Sequence, residues 1–405
     1  MKSAALLFAA FLVASAASAD YYYVTTTADS GPGSLRDGIL AANTRVTCPA
    51  PCYIVFNLAA PVPASGWFTI RPRSPLPILS GWGAVIDGHS QTAFTGDTNP
   101  LGPEIELDGE DAGSGPGLKI HFNSDAAIIG LAINRFSGNG VVIEGGFNNT
   151  IGPNVLSPLS EQPSNYIGVD PTGTRALPNG GNGVALVRTF GARVEHNLIS
   201  GNRGSGIFGA DVPLATIIGN AIGTGVTNDV ELGNGVNGVD MNGVAKFGST
   251  ITISDNRIAF NGQSGIATQP GATLVNVLGN SIFRNALMSL DVGHDGVSSN
   301  SIQPPLLTLA STVGGFSVHG VLHAAPNTNV HVEFFASPDK TPLGLADARR
   351  FLGSIDIRAD SRGEARFDVD RRFGIGDAAS GEFVSATATT VTAGTSELSD
   401  PIAVQ

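Results

Sequence analysis

The sequence predicts an all-β solenoid, in which short parallel strands wind into a stack of coils between a helical cap and a second, smaller all-β unit. Three observations predict it. An aliphatic anchor recurs at Ile133, Ile167, Ile199, Ile222, Ile258 and Ile282, giving coils of 34, 32, 23, 36 and 24 residues. Asparagine stands two positions ahead at Asn165, Asn197, Asn220, Asn256 and Asn280, with Leu131 in the first copy. A second anchor follows at Val141, Val184, Ile207, Val239, Ile266 and Leu290, after 8, 17, 8, 17, 8 and 8 residues. The plain unit of 23–24 residues is too short for a helix pair, and its apolar positions alternate with period 2 rather than 3.6. Three short strands joined by Gly- and Asn-rich turns fit it, stacking at ~4.8 Å per coil around a narrow continuous core. Asn tolerates the left-handed backbone of a tight corner, and its amide can bond the same amide one coil away.

The elements follow in order. The opening "MKSAALLFAAFLVASAASAD" has a one-charge start at Lys2, an apolar run from Ala4 to Val13 and a small-residue Ala17-Ser18-Ala19 cleavage pattern. It is expected to be a secretory signal peptide over residues 1–19, cut after Ala19, and too short for a membrane span. In "GSLRDGILAAN" a short amphipathic helix is expected, with Ser34 as N-cap, Asp37 at the capping-box position, Leu35 and Ile39 on one face and Asn43 at the stop. It can plug the first coil, because an open solenoid ends in unpaired strand edges. Cys48 and Cys52 flank a Pro-rich turn, and in an exported chain they are expected to form a local disulfide. "GAVIDG" and "EIELDG" put Asp87 and Asp108 21 residues apart, as if one coil apart, so the solenoid is expected to start near residue 68 and to run to 302. From about Pro304 the alternating runs "FSVHGVL", "VHVEFF" and "FVSATAT" predict a small β-sandwich over 303–405.

Composition narrows the partners. The chain carries a formal net charge of −12, which becomes −13 once Lys2 leaves with the first nineteen residues. Such a surface repels nucleic acid and any polyanion not bridged by a cation. With 53 glycines and 14% charged residues the chain is rich in turns, not a disordered tail. No later stretch is apolar enough for a transmembrane anchor.

With these marks in place, the chain resembles the secreted bacterial right-handed parallel β-helix repeat proteins of the pectin-lyase-like fold. The cap "YVTTTADSGPGSLRDGILAAN", the coils "IGVDPTG…NGGNGV" and "NLISGN", and the tail "NTNVHVEFFASP…FLGSIDIRAD…FVSATATT" carry the resemblance. It implies a right-handed helix with a β-sandwich module behind it and says little about activity. Polysaccharide-active members work on the outer face of one sheet, here the one starting at the second anchor. Its outward residues read Val142, Ala185, Phe208, Asp240, Ala267 and Asp291.

Asp240 and Asp291 thus share a column with Ala267 between them. Two coil steps separate them by ~9–10 Å, the upper edge of a separation that admits a hydrolytic water. Asp211 lies on the neighbouring coil, and His294 and Asp295 follow in "LDVGHDGV". Against catalysis, polygalacturonases carry acids just before this strand, where this chain has Asn139, Asn182, Ser205, Asn237, Ser264 and Ser289. "IRPRSP" offers Arg71 and Arg73 without clustered acids, which reads as packing and surface ion pairs. No metal or other cofactor motif is evident, and calcium alone is left open. Inserted loops 168–183 and 223–238 lie on one edge of the stack and are expected to wall a shallow groove.

Three readings result. In the first, a secreted or cell-surface monomer presents a rigid, non-catalytic face to a polysaccharide or cell-surface glycan. In the second, it is a polysaccharide hydrolase or lyase using Asp240 and Asp291. In the third, it is a passive matrix component.

Overall fold

The computed structural model of the protein describes residues 20–46, 48–153, 163–227, 230–242, 250–269, 274–293 and 302–405. Its strands form three long parallel sheets. Among the described residues, sheet A has nine strands, from Asp20–Val24 and Cys52–Phe56 to Val275–Leu278; sheet B has eight, from Phe68–Ile70 to Ser281–Phe283; sheet C has seven, from Leu118–His121 to Leu290–Val292. The first anchors, Ile133 to Ile282, pair in register down sheet B. The second anchors, Val141 to Leu290, pair down sheet C. All twelve are at most 3% exposed and belong to one core. Each fully buried aliphatic side chain in these columns contributes about 1.5–3 kcal/mol to the stack.

The repeated polar residues make the corners. Between sheets A and B, Asn165, Asn197, Asn220, Asn256 and Asn280 form one buried line. Each Nδ2 donates to the next Oδ1 at 2.8, 3.0, 2.9 and 2.9 Å. Each also gives a hydrogen bond to a backbone carbonyl one coil back, such as Ile151 from Asn197 and Val194 from Asn220. Buried amides in this position are fully used, which removes the penalty of taking them out of water. A second line, not anticipated from sequence, runs along the corner between sheets B and C. Asn179, Asn202, Asn234, Asn261 and Asn285 are linked at 3.0, 3.0, 2.9 and 2.9 Å. The glycine ahead of the first five second anchors fits the same corner: a Cβ on Gly183 would sit 2.5 Å from Ile199 Cγ2 and 2.7 Å from the Gly206 carbonyl.

The N-terminal end differs from expectation in three ways. The stack starts with Asp20–Val24 and Cys52–Phe56 in sheet A, well before residue 68. Asp87 and Asp108 do not occupy equivalent positions, since Val85–Asp87 belongs to sheet A and Ile105–Asp108 to sheet B. The helix Leu35–Thr44 has Ser34 as N-cap, its Oγ accepting from Asp37 N at 3.2 Å, but it ends at Arg45 in the left-handed region. Asn43 instead reaches out of the helix: its Oδ1 accepts from Ser80 N and Gly81 N, and its Nδ2 donates to the Ile78 carbonyl. Leu35, Ile39 and Ala42 are buried in the main core, so the helix plugs the stack as expected. Cys48 and Cys52 are disulfide-bonded, with their Cα atoms 5.4 Å apart.

Beyond sheet C the chain turns antiparallel. Leu306–Ser311, Ser317–His323 and Glu364–Asp370 form one sheet; Asn329–Ser337, Arg350–Arg358, Phe383–Thr390 and Gly394–Thr395 form the spine of another. Both contribute to a second core that includes Val318, Val332, Phe334, Phe367 and Val384. This region closes the far edge of all three parallel sheets. On sheet A, Val277 N donates to Thr395 Oγ1 at 2.9 Å and Gly279 N to both oxygens of Glu333 at 3.1 and 3.0 Å. On sheet B, Ile282 and Ala348 exchange two backbone bonds of 2.8 Å. On sheet C, Val292 N donates to Glu397 at 3.2 Å.

Candidate binding face and the aspartate column

The outer face of sheet C is set by period 2. Val142, Ala185, Phe208, Asp240, Ala267 and Asp291 are direct register partners on successive strands. Asp240 and Asp291 therefore stand two strands apart, about 9.6 Å by strand spacing, with Ala267 between. Asp240 is half-buried and its Oδ2 accepts from Asn237 Nδ2 at 3.2 Å, whereas Asp291 is only 8% exposed. Asp211 is brought close to this face but not into the column. It occupies the corner after Ile207–Ala210 with φ 56° and is exposed, three residues along the strand from Phe208, or roughly 10 Å. His294 and Asp295 lie outside the described residues.

The Asn-Gly and Ser-Gly pairs ahead of sheet C have a local job. Asn182 N donates to Asn139 Oδ1 at 2.7 Å, Ser205 N to Asn182 Oδ1 at 2.8 Å, and Ser264 N to Asn237 Oδ1 at 2.9 Å. These side chains satisfy the backbone of the next coil.

The near end of sheet C carries groups that sequence reasoning did not assemble. His121 is the register partner of Glu144 and Lys119 of Val142, and Arg188 sits at the corner one coil on. Glu144 pairs with Lys119 at 2.7 Å, Arg188 at 2.6 Å and His121 at 3.5 Å. The Lys119 ammonium, with help from Arg188, holds the Glu144 carboxyl below its ordinary range. Because Lys119 and His121 alternate on one strand, period 2 alone places both outside; Arg188 lies beyond the strand and has no such signal.

The insertions do not wall a groove on sheet C. Each folds back as a small antiparallel turn, Val169 bridging Ala176 and Thr224 bridging Glu231, and lies over sheet B. Tyr166, Val169, Leu198 and Ala132 are fully buried beneath them, with Val226 and Leu232 packed against this cluster. Val226 N donates to the Gly173 carbonyl at 3.0 Å, which joins the two insertions across the short coil between them. The physical reason is Tyr166, an outward aromatic on sheet B that needs a cover. Its Oη donates to the Leu101 carbonyl. Arg71 forms an ion pair, with Asp108 at 2.7 Å, but against expectation its partner is fully buried and acids do gather there: Asp108 is shared with Arg135, which also pairs with Glu110.

Among the described residues no three His, Cys, Asp or Glu side chains converge as a metal site. Among them, too, no helix is long and apolar enough to cross a membrane.

Residues 116–303 match the family model described as "Right handed beta helix region". No curated protein matches the chain by sequence. Among solved structures it is similar to the A-module of the Azotobacter vinelandii mannuronan C-5 epimerase AlgE4, at 14% identity, covering 67% of this chain and 81% of that one, with a TM-score of 0.36. It is also similar to the cedar pollen allergen Jun a 1, at 17% identity over 67% of this chain and 65% of that one, with a TM-score of 0.31. A mutant of the periplasmic alginate epimerase AlgG gives 12% identity over 65% of this chain and 58% of that one, with a TM-score of 0.30. The chain thus spans less than two thirds of the length of the latter two.

Proposed function

We propose a function from the premise that this is a right-handed parallel β-helix protein: it presents a rigid face to a polysaccharide and binds it without cleaving it. One observation carries this reading. The side chains just ahead of the sheet C strands, where the resemblance would put catalytic acids, are Asn and Ser, and the oxygens of Asn139, Asn182, Ser205 and Asn237 accept backbone N–H groups of the next coil. They are spent on shape. The near burial of Asp291 supports the same reading, because a polymer lying on the face has little access to it. In this reading the chain is secreted after cleavage behind Ala19, acts as a monomer, and carries residues 303–405 as a β-sandwich domain behind the 20–302 solenoid.

The test is a glycan panel scored twice, for retained binding and for new reducing ends or unsaturated uronate absorbance. Binding without turnover is expected. The second reading, a hydrolase or lyase, rests on the shared column, whose two strand steps of about 9.6 Å fall just beyond the ~6.5–9.5 Å carboxyl separation of inverting pairs. In it Asp240 and Asp291 act as acid and base, with Asp211, His294 and Asp295 in support. Turnover abolished by Asp240→Asn or Asp291→Asn would replace the first reading with this one.

A further inference from the structure

We infer that the corner between sheets C and A is a stacking platform for an uncharged polysaccharide; the inference rests on the glycan-binding reading and gives it a site and a ligand class. Backbone bonds from Gly83 N to the Ser124 carbonyl (2.9 Å), Asp125 N to Phe147 (3.0 Å) and Asn148 N to Phe190 (2.9 Å) put Trp82, Ser124, Phe147 and Phe190 in one line along the stack. Trp82, Phe147 and Phe190 are 58%, 58% and 40% exposed, and the adjoining Phe122 is 73% exposed. Phe147 and Phe190 touch, with centroids 5.9 Å apart and planes tilted by 55°. Four large rings in the open on neighbouring coils form the kind of apolar surface that marks an interaction site.

Phe122 adds an independent sign. Its φ is 45°, a left-handed conformation unfavourable for a bulky side chain, where the equivalent corners of the next coils carry Gly145, Arg188 and Asp211. Its ring lies over Gly145, where a Cβ would come within 2.6 Å of it. The ring packs edge-on against His121, with centroids 4.4 Å apart, and stays mostly in the open although the neighbouring coil leaves space beneath it. The corner asks for this backbone in each of these coils, Arg188 and Asp211 included at φ 48° and 56°; what sets this one apart is the large exposed ring it carries.

The charges choose the ligand. Lys119 and Arg188 are already engaged by Glu144, and Asp125 accepts from Trp82 Nε1 at 3.3 Å and from Asn148 Nδ2 at 3.4 Å. Among the described residues a polyanion would meet Asp125 and the exposed Asp211 beside the rings, while the cations next to them, Lys119 and Arg188, are already paired. Pyranose rings, with an apolar face and hydroxyl edges, suit aromatic faces bordered by fixed polar groups. A ligand with a repeating unit matches a platform that repeats once per coil.

The experiment uses the full chain and four probes: cellohexaose, xylohexaose, mannohexaose and a hexagalacturonate, followed by calorimetry and tryptophan fluorescence. At least one neutral hexasaccharide should bind, with affinity unchanged by 0.5 M NaCl (a screening length of about 4 Å). Phe147→Ala and Phe190→Ala should each weaken it at least tenfold while the melting temperature stays put, and Trp82 emission should change on binding. Neutral-sugar binding that survives both substitutions overturns the platform and leaves the glycan reading standing. Salt-sensitive binding of the uronate alone also overturns the platform, and so does self-association abolished by Phe147→Ala. No binding of any probe overturns both.

Discussion

Sheets B and C are made from the same coils, yet their outer faces have opposite fates. Sheet B turns Tyr166 and Leu198 outward and then buries them under two insertions that touch each other. Sheet C turns out short or charged side chains over much of its length, leaves Val142, Phe208 and Asp240 half-buried, and receives neither insertion. The difference teaches that an insertion in a solenoid is not by itself evidence of a binding loop. When the strand below carries a large apolar residue, the insertion is a lid on a satellite core, and recognition has to be sought on the faces left open.

The comparison can be broken by substitution. The largest effect is expected at Tyr166→Ala, which empties a fully buried site beneath both insertions. Denaturant unfolding should show a loss of about 3–5 kcal/mol; a loss under 1 kcal/mol would mean that the insertions merely rest on sheet B. Next comes Asn220→Ala. It removes the acceptor of Asn197 N and Nδ2 and the donor to Val194 O and Asn256 Oδ1, all buried. Asn197 Nδ2 keeps the Ile151 carbonyl and Asn256 Oδ1 keeps Asn220 N, so the loss falls on the Asn197 amide and the Val194 carbonyl; at about 1–2 kcal/mol each, the lower half of the usual cost, a loss of about 2–4 kcal/mol is expected, read as the shift in unfolding midpoint.

A third effect concerns the cover over the sheet edges. The His331 imidazole is pushed up to about 9, first by the nearly buried Glu333 carboxylate at 3.7 Å and then by the closer but 83% exposed Asp356 at 2.8 Å. The same Glu333 holds the Gly279 amide of the last coil. Since the folded-state value lies above the ordinary 6.5, the stabilisation is complete below about pH 6.5 and disappears as pH rises through about 9. Thermal unfolding from pH 6 to 10 should therefore show the wild type losing its advantage over His331→Gln; a gap that persists at pH 10 contradicts the assignment. The smallest effect is expected on the open face. Asp240→Asn should change stability by no more than about 0.5 kcal/mol, and a larger loss by the same unfolding assay would make the column part of the scaffold.

Much of this was readable in the residues, and the failures have physical causes. The first asparagine line was legible because each member precedes an Ile by two positions. The second was missed because its distance from that Ile is 12, 3, 12, 3 and 3; counted back from the second anchor, Asn179, Asn202, Asn234, Asn261 and Asn285 all stand at five. Asp240 and Asp291 fell into one column by simple alternation. The start of the stack was hidden because a helix and a disulfide-bonded turn separate its first two strands. "VID" and "ELD" look alike but lie on different sheets, since alternation tells inside from outside and not which of three faces a strand joins. The destination of the insertions depended on where Tyr166 points, which no spacing announces. Phe147 and Phe190 left a trace, each six residues past a second anchor.

One consequence of the sealed ends concerns inheritance of length. The terminal pieces fix only the first and last rungs, while every rung between them offers its neighbours the same hydrogen-bonding edges. Copying the 23 residues 200–222 in tandem would lengthen the molecule by ~4.8 Å without disturbing either terminus. The protein is in this sense a ruler whose span can be edited from the middle.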